Sequence, residues 1–365
     1  MKLCPLYGMQ KEIEYKLAAG ERISEEECLW LYKEAELEWL QKKADSIRSQ
    51  KHGDKAFYNR NIHFEPTNKC IYSCKFCSFY RKPNATEAEG AWDYSLEDLN
   101  AKLAPYGKDD LTEIHITGGV HPDRGIDWAV ELLTFIKSAR PQIHIKAFTA
   151  VEVTWMCKVS KLSVKEGLTA LKKAGLGSLP GGGAEIFDPE VRRKIAGGKA
   201  PADRWLEVHG TAHKLGIESN ATMLYGHIEE YEHRVDHMSK LRKLQDETGG
   251  FNAFIPLRYR NENNKLSHRD EVNREEDLRN FAVARIFMDN IEHLKAYWVM
   301  LGVENAFESL KYGVDDLDGT VDDSTKIYSM AGSMEHPALN SQFIIDTIKE
   351  KGRLPVERDS LYQEV

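Results

Sequence analysis

Short runs of alternating apolar and polar residues recur along this chain, each followed by a longer amphipathic stretch, and that rhythm admits few folds. Strand–helix units repeated in this way build a parallel sheet covered by helices. Eight candidate strands lie near 61–67, 113–118, 143–151, 178–180 continuing into 184–187, 219–225, 251–258, 295–301 and 310–314. Helices are expected near 96–105, 126–139, 163–174, 201–215, 230–247 and 274–293, with Gly175 and Gly216 as left-handed C-terminal caps. Eight such units predict an α/β fold, a (β/α)8 TIM-type barrel. With 365 residues and 41% apolar content the chain can bury that core as one unit.

Ser24-x-x-Glu27 reads as a capping box opening a helix to about residue 50. The expected organisation is a helical extension over 1–52, packed on the barrel's outside or bottom, the barrel over 53–320, and an extension over 321–365 that is part of the same domain. No segment reaches 18 uninterrupted apolar residues, and Met1–Gly8 is too short and too soon charged for a leader, so a cytoplasmic protein away from membranes is expected. The net charge of −8 argues against a nucleic-acid partner. Runs such as Glu229-Glu230 and Arg192-Arg193-Lys194 read as solvated faces.

In the first two strands Ile62 and Phe64 alternate with His63, Glu65 and Thr67, and Ile114 and Ile116 with Glu113, His115 and Thr117. Alternate positions face opposite sides, so the apolar set suits the helices and the polar set the barrel axis, where active barrels keep their chemistry near the C-terminal strand ends. Just past the first strand stand Cys70, Cys74 and Cys77, a Cys-x3-Cys-x2-Cys triplet. Three thiolates within eight residues suit a cubane iron–sulfur cluster with one iron left for a small molecule. A structural zinc ion with His63 as fourth ligand is the alternative, although Cys4, Cys28 and Cys157 are scattered singly. A disulfide leaves one of the three unpaired, and a ferredoxin run needs a further cysteine where Ser78-Phe79-Tyr80 follows.

The stretch Asn61–Cys70 followed by Cys74-Lys75-Phe76-Cys77 resembles the cluster loop of radical S-adenosylmethionine (SAM) enzymes, including the aromatic residue before the third cysteine. The resemblance implies a [4Fe–4S] cluster held by Cys70, Cys74 and Cys77, with SAM on the fourth iron and an electron donor such as flavodoxin or ferredoxin. Thr117-Gly118-Gly119-Val120 matches the place of the family's Gly-Gly-Glu motif for the SAM amino group, with Val120 where the acid would be, so that only backbone contact is implied. Phe76, Thr117, Thr149, Glu152 and Asn220 are further candidates for the cofactor. Glu185, after the run Pro180-Gly181-Gly182-Gly183, is assigned by resemblance to the ribose hydroxyls or the sulfonium side.

Longer phrases, among them Lys146–Glu152, Leu179–Phe187, Ala221–His227, Asp316–Thr320 and Pro355–Tyr362, are similar to the aminofutalosine synthases of the futalosine route to menaquinone. The dehypoxanthine futalosine cyclases and the tyrosine-using synthases of deazaflavin assembly share the triplet and the glycine run. The resemblance implies addition of a 5′-deoxyadenosyl radical to 3-[(1-carboxyvinyl)oxy]benzoate, rearrangement and loss of bicarbonate, giving 6-amino-6-deoxyfutalosine, with SAM consumed. That substrate carries two carboxylates. Arg258 and His227 are the candidates to hold it, Arg260 reading as a solvated side chain, although 258–263 departs from the Ala-Phe-His-Pro-Glu-Asn expected there. His63, Glu65 or His115 is the candidate to move a proton.

Overall fold

The computed structural model describes residues 5–321, 327–332 and 338–365. Strands β1 (Lys55–Asn59), β2 (Asn61–Phe64), β3 (Glu113–Ile116), β4 (His144–Ala147), β5 (Ser178–Leu179), β6 (Glu218–Tyr225), β7 (Phe251–Arg258), β8 (His293–Leu294), β9 (Asp316–Gly319) and β10 (Leu354–Glu357) form two parallel sheets. Seven strands, β2 to β8 in sequence order, curl into the main sheet, and β10–β1–β9 form the second. The segment around β9 bridges the remaining gap. On one side Asp315 N donates to Leu294 O at 3.1 Å and Ala296 N to Asp316 O at 2.8 Å; on the other His63 N donates to Val321 O at 2.9 Å. The TIM-type barrel expected from the strand–helix rhythm is thus the observed architecture, with its eighth position filled by a strand shared with the small sheet.

The strand faces follow the alternation in the sequence. Ile114 and Ile116 are fully buried against the helical layer, whereas His115 and Thr117 line the lumen. Helices Ile126–Ala139, Val164–Lys173, Ala202–Lys214, Tyr231–Thr248 and Arg274–Phe287 cover the outside, and Gly175 and Gly216 adopt the expected positive φ.

Several boundaries differ from expectation. The stretch 143–151 is strand only to Ala147: Phe148 turns the chain at φ 62, and the Thr149–Glu152 capping box starts the helix Ala150–Ser160. Residues 184–187 are not strand, because the glycine run turns the chain after β5. The run 295–301 begins just after β8 and ends in a short helix Trp298–Leu301, 311–313 is a turn followed by β9, and helix 274–293 ends at Phe287. The expected single N-terminal helix is broken at 34–36 into Glu25–Lys33, capped by the Ser24–Glu27 box as read from sequence, and Leu37–His52. Leu37–His52 packs against Arg274–Phe287. No helix among the described residues is long and apolar enough to cross a membrane.

Candidate active site

The first loop at the C-terminal rim carries the three cysteines, with no disulfide among the described residues. The glycines after β3 explain how that loop is seated. Gly119 N donates to Thr67 O at 2.7 Å, and a Cβ on Gly119 would stand 2.3 Å from Lys69 O. Gly118 is similarly tight, 2.7 Å from Thr67 O. The close backbone approach expected towards a ligand is therefore made to the cysteine loop itself.

The thiols are set for a cluster rather than a single ion. Among the described residues the only three potential ligands with their donor atoms within 4.8 Å of one another are His52, His293 and Asp315, at the opposite end of the barrel. A tetrahedral zinc, with bonds of about 2.3 Å, would draw its sulfurs to within about 4 Å. Burial, then the neighbouring Cys74, pushes the Cys77 thiol up to about 12, and burial also raises Cys70 and Cys74. Such thiols ionise only against strong positive charge, which iron ions supply. Cys70 Sγ accepts a hydrogen bond from Tyr72 N at 3.4 Å, the kind of backbone donor that stabilises a ligating sulfur. The triplet fits the cluster.

From the cysteine loop a cavity of about 250 Å³ runs into the lumen. Phe76, Cys77, Thr117, Thr149, Gly181, Gly182, Glu185 and Asn220 line it, so the structure gathers most of the sequence-derived cofactor candidates around one space. Thr222 Oγ1 donates to Gly181 O at 2.6 Å, and a Cβ on Gly181 would meet Asn220 O at 2.7 Å, which is why this turn is glycine. Arg192 clamps the same turn from behind, donating to Ala184 O at 2.6 Å and Gly183 O at 2.9 Å. It is buried, so the run Arg192-Arg193-Lys194 is not wholly a solvated face. Glu185, at φ 50, is paired with Lys199, whose ammonium also lies 5.4 Å over the Phe76 ring. Burial alone would raise the Glu185 carboxyl, but Lys199 outweighs it and holds it below its ordinary range.

Glu152 stands elsewhere. Its carboxylate caps its own helix through Thr149 N at 2.8 Å, accepts from Thr117 Oγ1 at 3.1 Å and Gly118 N at 3.2 Å, and faces a small separate space behind the glycine pair. Burial raises this carboxyl to about 7 despite those donors. Its place in the fold is to tie the β3 loop to the Ala150–Ser160 helix.

Deeper in the lumen the polar faces of β2, β3, β4 and β9 meet. Lys146 pairs with Glu113 at 2.7 Å and Lys295 with Asp318 at 3.2 Å, while His63 packs edge-on to His115, ring centroids 4.5 Å apart, and stacks on Tyr297 at 5.9 Å. Burial pushes the His63 imidazole down to about 4 and His115 well below its ordinary value, the second helped by neighbouring His63 and Lys146. Both rings are therefore neutral at physiological pH, rather than titrating near pH 6.5 as an exposed histidine does. His115 lines the cavity, and its buried Nε2 has no protein hydrogen-bond partner among the described residues. Glu65 is buried in the wall beside Trp92, whose indole donates to the Glu65 carbonyl at 2.9 Å, and it does not line the cavity.

The two substrate candidates are placed outside this space. His227 Nδ1 accepts from Ile228 N at 2.7 Å, and its Nε2 donates to Leu224 O at 3.1 Å. Arg258 pairs with Glu271 at 3.2 Å and Asp277 at 3.3 Å. It is Arg260, read from sequence as a solvated side chain, that lines the cavity, together with Lys146, Lys295, Asp318, Tyr259 and Tyr297. Arg260 follows the end of β7, and Lys295 follows β8, so the C-terminal-rim rule combined with correct strand ends finds them. Cys28 and Cys157 are buried thiols raised by burial, and Cys4 lies outside the described residues.

Comparison with known proteins agrees with this geometry. Residues 64–241 match the Radical SAM superfamily and residues 248–365 the CofH/MqnC C-terminal region. The chain is 45% identical to an aminodeoxyfutalosine synthase of Thermus thermophilus over 97% of its own length and 95% of the relative. It is 39% identical to a cyclic dehypoxanthine futalosine synthase of Streptomyces coelicolor over 95% of its length and 87% of the relative. The fold is similar to that of methylornithine synthase (PylB), with a TM-score of 0.75 at 14% identity over 94% of this chain and 97% of that one. A cysteine triplet at the rim of a parallel barrel, opening on a polar lumen and continuous with a CofH/MqnC-type C-terminal region, marks the chain as a member of the radical SAM superfamily, an enzyme that works with a [4Fe–4S] cluster and SAM.

Proposed function

We propose that the enzyme is an aminodeoxyfutalosine synthase, adding the 5′-deoxyadenosyl radical to the vinyl carbon of 3-[(1-carboxyvinyl)oxy]benzoate, with rearrangement and loss of bicarbonate, to give 6-amino-6-deoxyfutalosine. The observation that carries this reading is the cavity itself: one space joins Cys77 to an apolar midsection of Leu224, Ile255, Leu257 and Met300, with cations at Arg260 and at Lys146 and Lys295. When bound, the cluster and SAM supply the one-electron cleavage that yields methionine and the radical. Glu185, held by Lys199, accepts from ligand hydroxyls, while Thr149, Asn220 and the Gly181–Gly182 backbone shape the nucleoside side. The apolar walls take the aromatic ring and exclude water. Arg260 offers its planar fork to one carboxylate. Neutral His115, a lining residue whose buried Nε2 has no protein hydrogen-bond partner among the described residues, holds or takes a proton near the reacting carbon. The higher identity to the synthase relative than to the cyclase relative, 45% against 39%, adds support.

Anaerobic incubation of the reduced enzyme with SAM and the enol-ether benzoate tests the reaction. A product with the mass of the rearranged adenosyl adduct less its carboxyl carbon is expected. Turnover of dehypoxanthine futalosine with release of 5′-deoxyadenosine, or turnover of tyrosine with a ribitylaminouracil, in place of that product would reject the synthase in favour of a relative's reaction.

A further inference from the structure

The phrase Pro355–Tyr362 contributes no residue to the cavity, yet its second half lies across the other end of the barrel. Four contacts place it there, each at the start of a strand. Arg358 pairs with Asp316, the first residue of β9, and its guanidinium stands 4.3 Å over the Tyr362 ring. Tyr362 stacks on His293, the first residue of β8, with ring centroids 3.6 Å apart. Asn252, near the start of β7, donates to Ser360 O at 3.4 Å, and Ser360 Oγ donates at 2.6 Å to Glu113, which opens β3. Asp359 closes the turn on itself, accepting from Leu361 N at 2.9 Å and Gln363 N at 2.8 Å.

Through Ser360 this plug reaches the lumen. Ser360, Glu113 and Lys146 are all buried, and Glu113 Oε2 accepts from Ser360 while pairing with Lys146 Nζ at 2.7 Å, so hydroxyl and ammonium share one oxygen. The register of β3 and β4 sets this up. Glu113 stands opposite His144 and Lys146 opposite His115, so the lysine leans back along its own strand to the acid while still lining the cavity beside His115. The ion pair carries no net charge and draws no anion from a distance. What it offers is direction: an ammonium has three N–H donors, and holding one on a fixed carboxylate aims the others. Glu113 Oε1 has no hydrogen-bond partner among the described residues, so the Ser360 hydroxyl is what decides which oxygen faces Lys146. Lys295, between Asp318 at 3.2 Å and Asp316 at 4.0 Å, faces two acids and is the poorer host for a further anion.

We propose that Ser360 is a positioning residue: acting through Glu113, it fixes the Lys146 ammonium at the floor of the cavity, where Lys146 holds the substrate carboxylate that Arg260 does not take. The assignment rests on the dicarboxylate substrate proposed above.

Ser360→Ala removes the hydroxyl and leaves Arg358 and Tyr362 to seat the plug. It should raise KM for the enol-ether benzoate about fivefold, with kcat and the slow cleavage of SAM without organic substrate within about twofold of the unaltered enzyme. Removing both charges of the pair, Glu113→Gln with Lys146→Met, should raise the same KM about tenfold or more. Adding Ser360→Ala to that double variant should change KM by less than about twofold, because residues in one network are not additive. An unchanged KM in Ser360→Ala or in the double variant overturns the proposal, as does an equal effect of Ser360→Ala in both backgrounds. A fall in melting temperature with joint loss of SAM cleavage in Ser360→Ala shows that the hydroxyl only holds the fold, and overturns it too. Should the double variant not fold, Lys146→Gln, which keeps a donor for Glu113, takes its place in the same comparison. If the unaltered enzyme turns over dehypoxanthine futalosine or tyrosine instead, the synthase reading fails, and the same comparison on that substrate, which also carries a carboxylate, supports or overturns the role of Ser360 by the same criteria.

Discussion

Arg258 and Arg260 stand two positions apart and do different work. Arg258 keeps company with Asp277, a fully buried carboxylate left at about 6 because burial outweighs the pull of Arg258 and of Tyr225, whose hydroxyl donates to it at 2.7 Å. Replacing Arg258 with Ala leaves that acid with neutral donors alone, Tyr225 and Asn305, and breaking a buried pair costs about 3–5 kcal/mol. Arg260 instead reaches the cavity, its guanidinium resting on Glu271 at 3.3 Å and Gly332 O at 2.9 Å. Arg260→Ala should raise KM for the dicarboxylate substrate by about tenfold or more, as expected for loss of a charged hydrogen bond of about 1.5–3 kcal/mol, with SAM affinity and melting temperature little changed. Arg258→Ala should do the reverse. Steady-state kinetics beside thermal unfolding of both variants decides, and a KM effect confined to Arg258 would move the carboxylate site.

At the scale of elements, the site depends on loops pressed together more tightly than side chains allow. The β3 loop and the cysteine loop meet backbone to backbone at Gly119, where a methyl group would fall 2.3 Å from Lys69 O. Neither side is a flexible side-chain end, so Gly119→Ala must displace the cysteine loop. The expected result is a chain that keeps its far-UV circular dichroism, loses about 2–4 kcal/mol of stability, and retains less than about half of the iron after anaerobic reconstitution. Full iron content in this variant would show that the loop tolerates the shift. Helix starts at this scale were legible wherever a capping box was read as such. Ser24-x-x-Glu27 was read, whereas the same grammar in Thr149-x-x-Glu152 was overrun by the apolar run Ala147-Phe148 before it, which reads as strand until Phe148 takes φ 62.

The whole molecule buries several histidines in neutral form. His63, His144 and His213 are pushed down to about 4 and His237 to about 3, in every case first by burial. Because the unfolded chain takes up these protons near pH 6.5, the folded state is fully favoured above that pH and loses stability as pH falls towards 4. Below pH 6.5 each histidine costs the fold about 1.4 kcal/mol per pH unit, so together they outweigh the opposite trend of Glu152 and Asp277, whose raised carboxyls cost stability as pH climbs from their ordinary values to about 7 and about 6. Urea unfolding at pH 7.5, 6 and 5 should show a steep fall in stability across the series; a flat or rising series would contradict neutral burial of these rings.

The cysteine triplet, the strand–helix rhythm and the lumen-facing alternation of β2 and β3 were settled by the sequence alone, because each is a local spacing: ligand to ligand along a loop, or side to side along a strand. The partners of the charged residues were decided only by the tertiary structure. Nothing local tells that Arg258 meets Asp277, that Lys199 returns to Glu185, or that Lys295 and Asp318 face His63 across the lumen, since these pairs join separate strands and loops whose approach is set by barrel closure and by the burial that makes an unpaired charge costly.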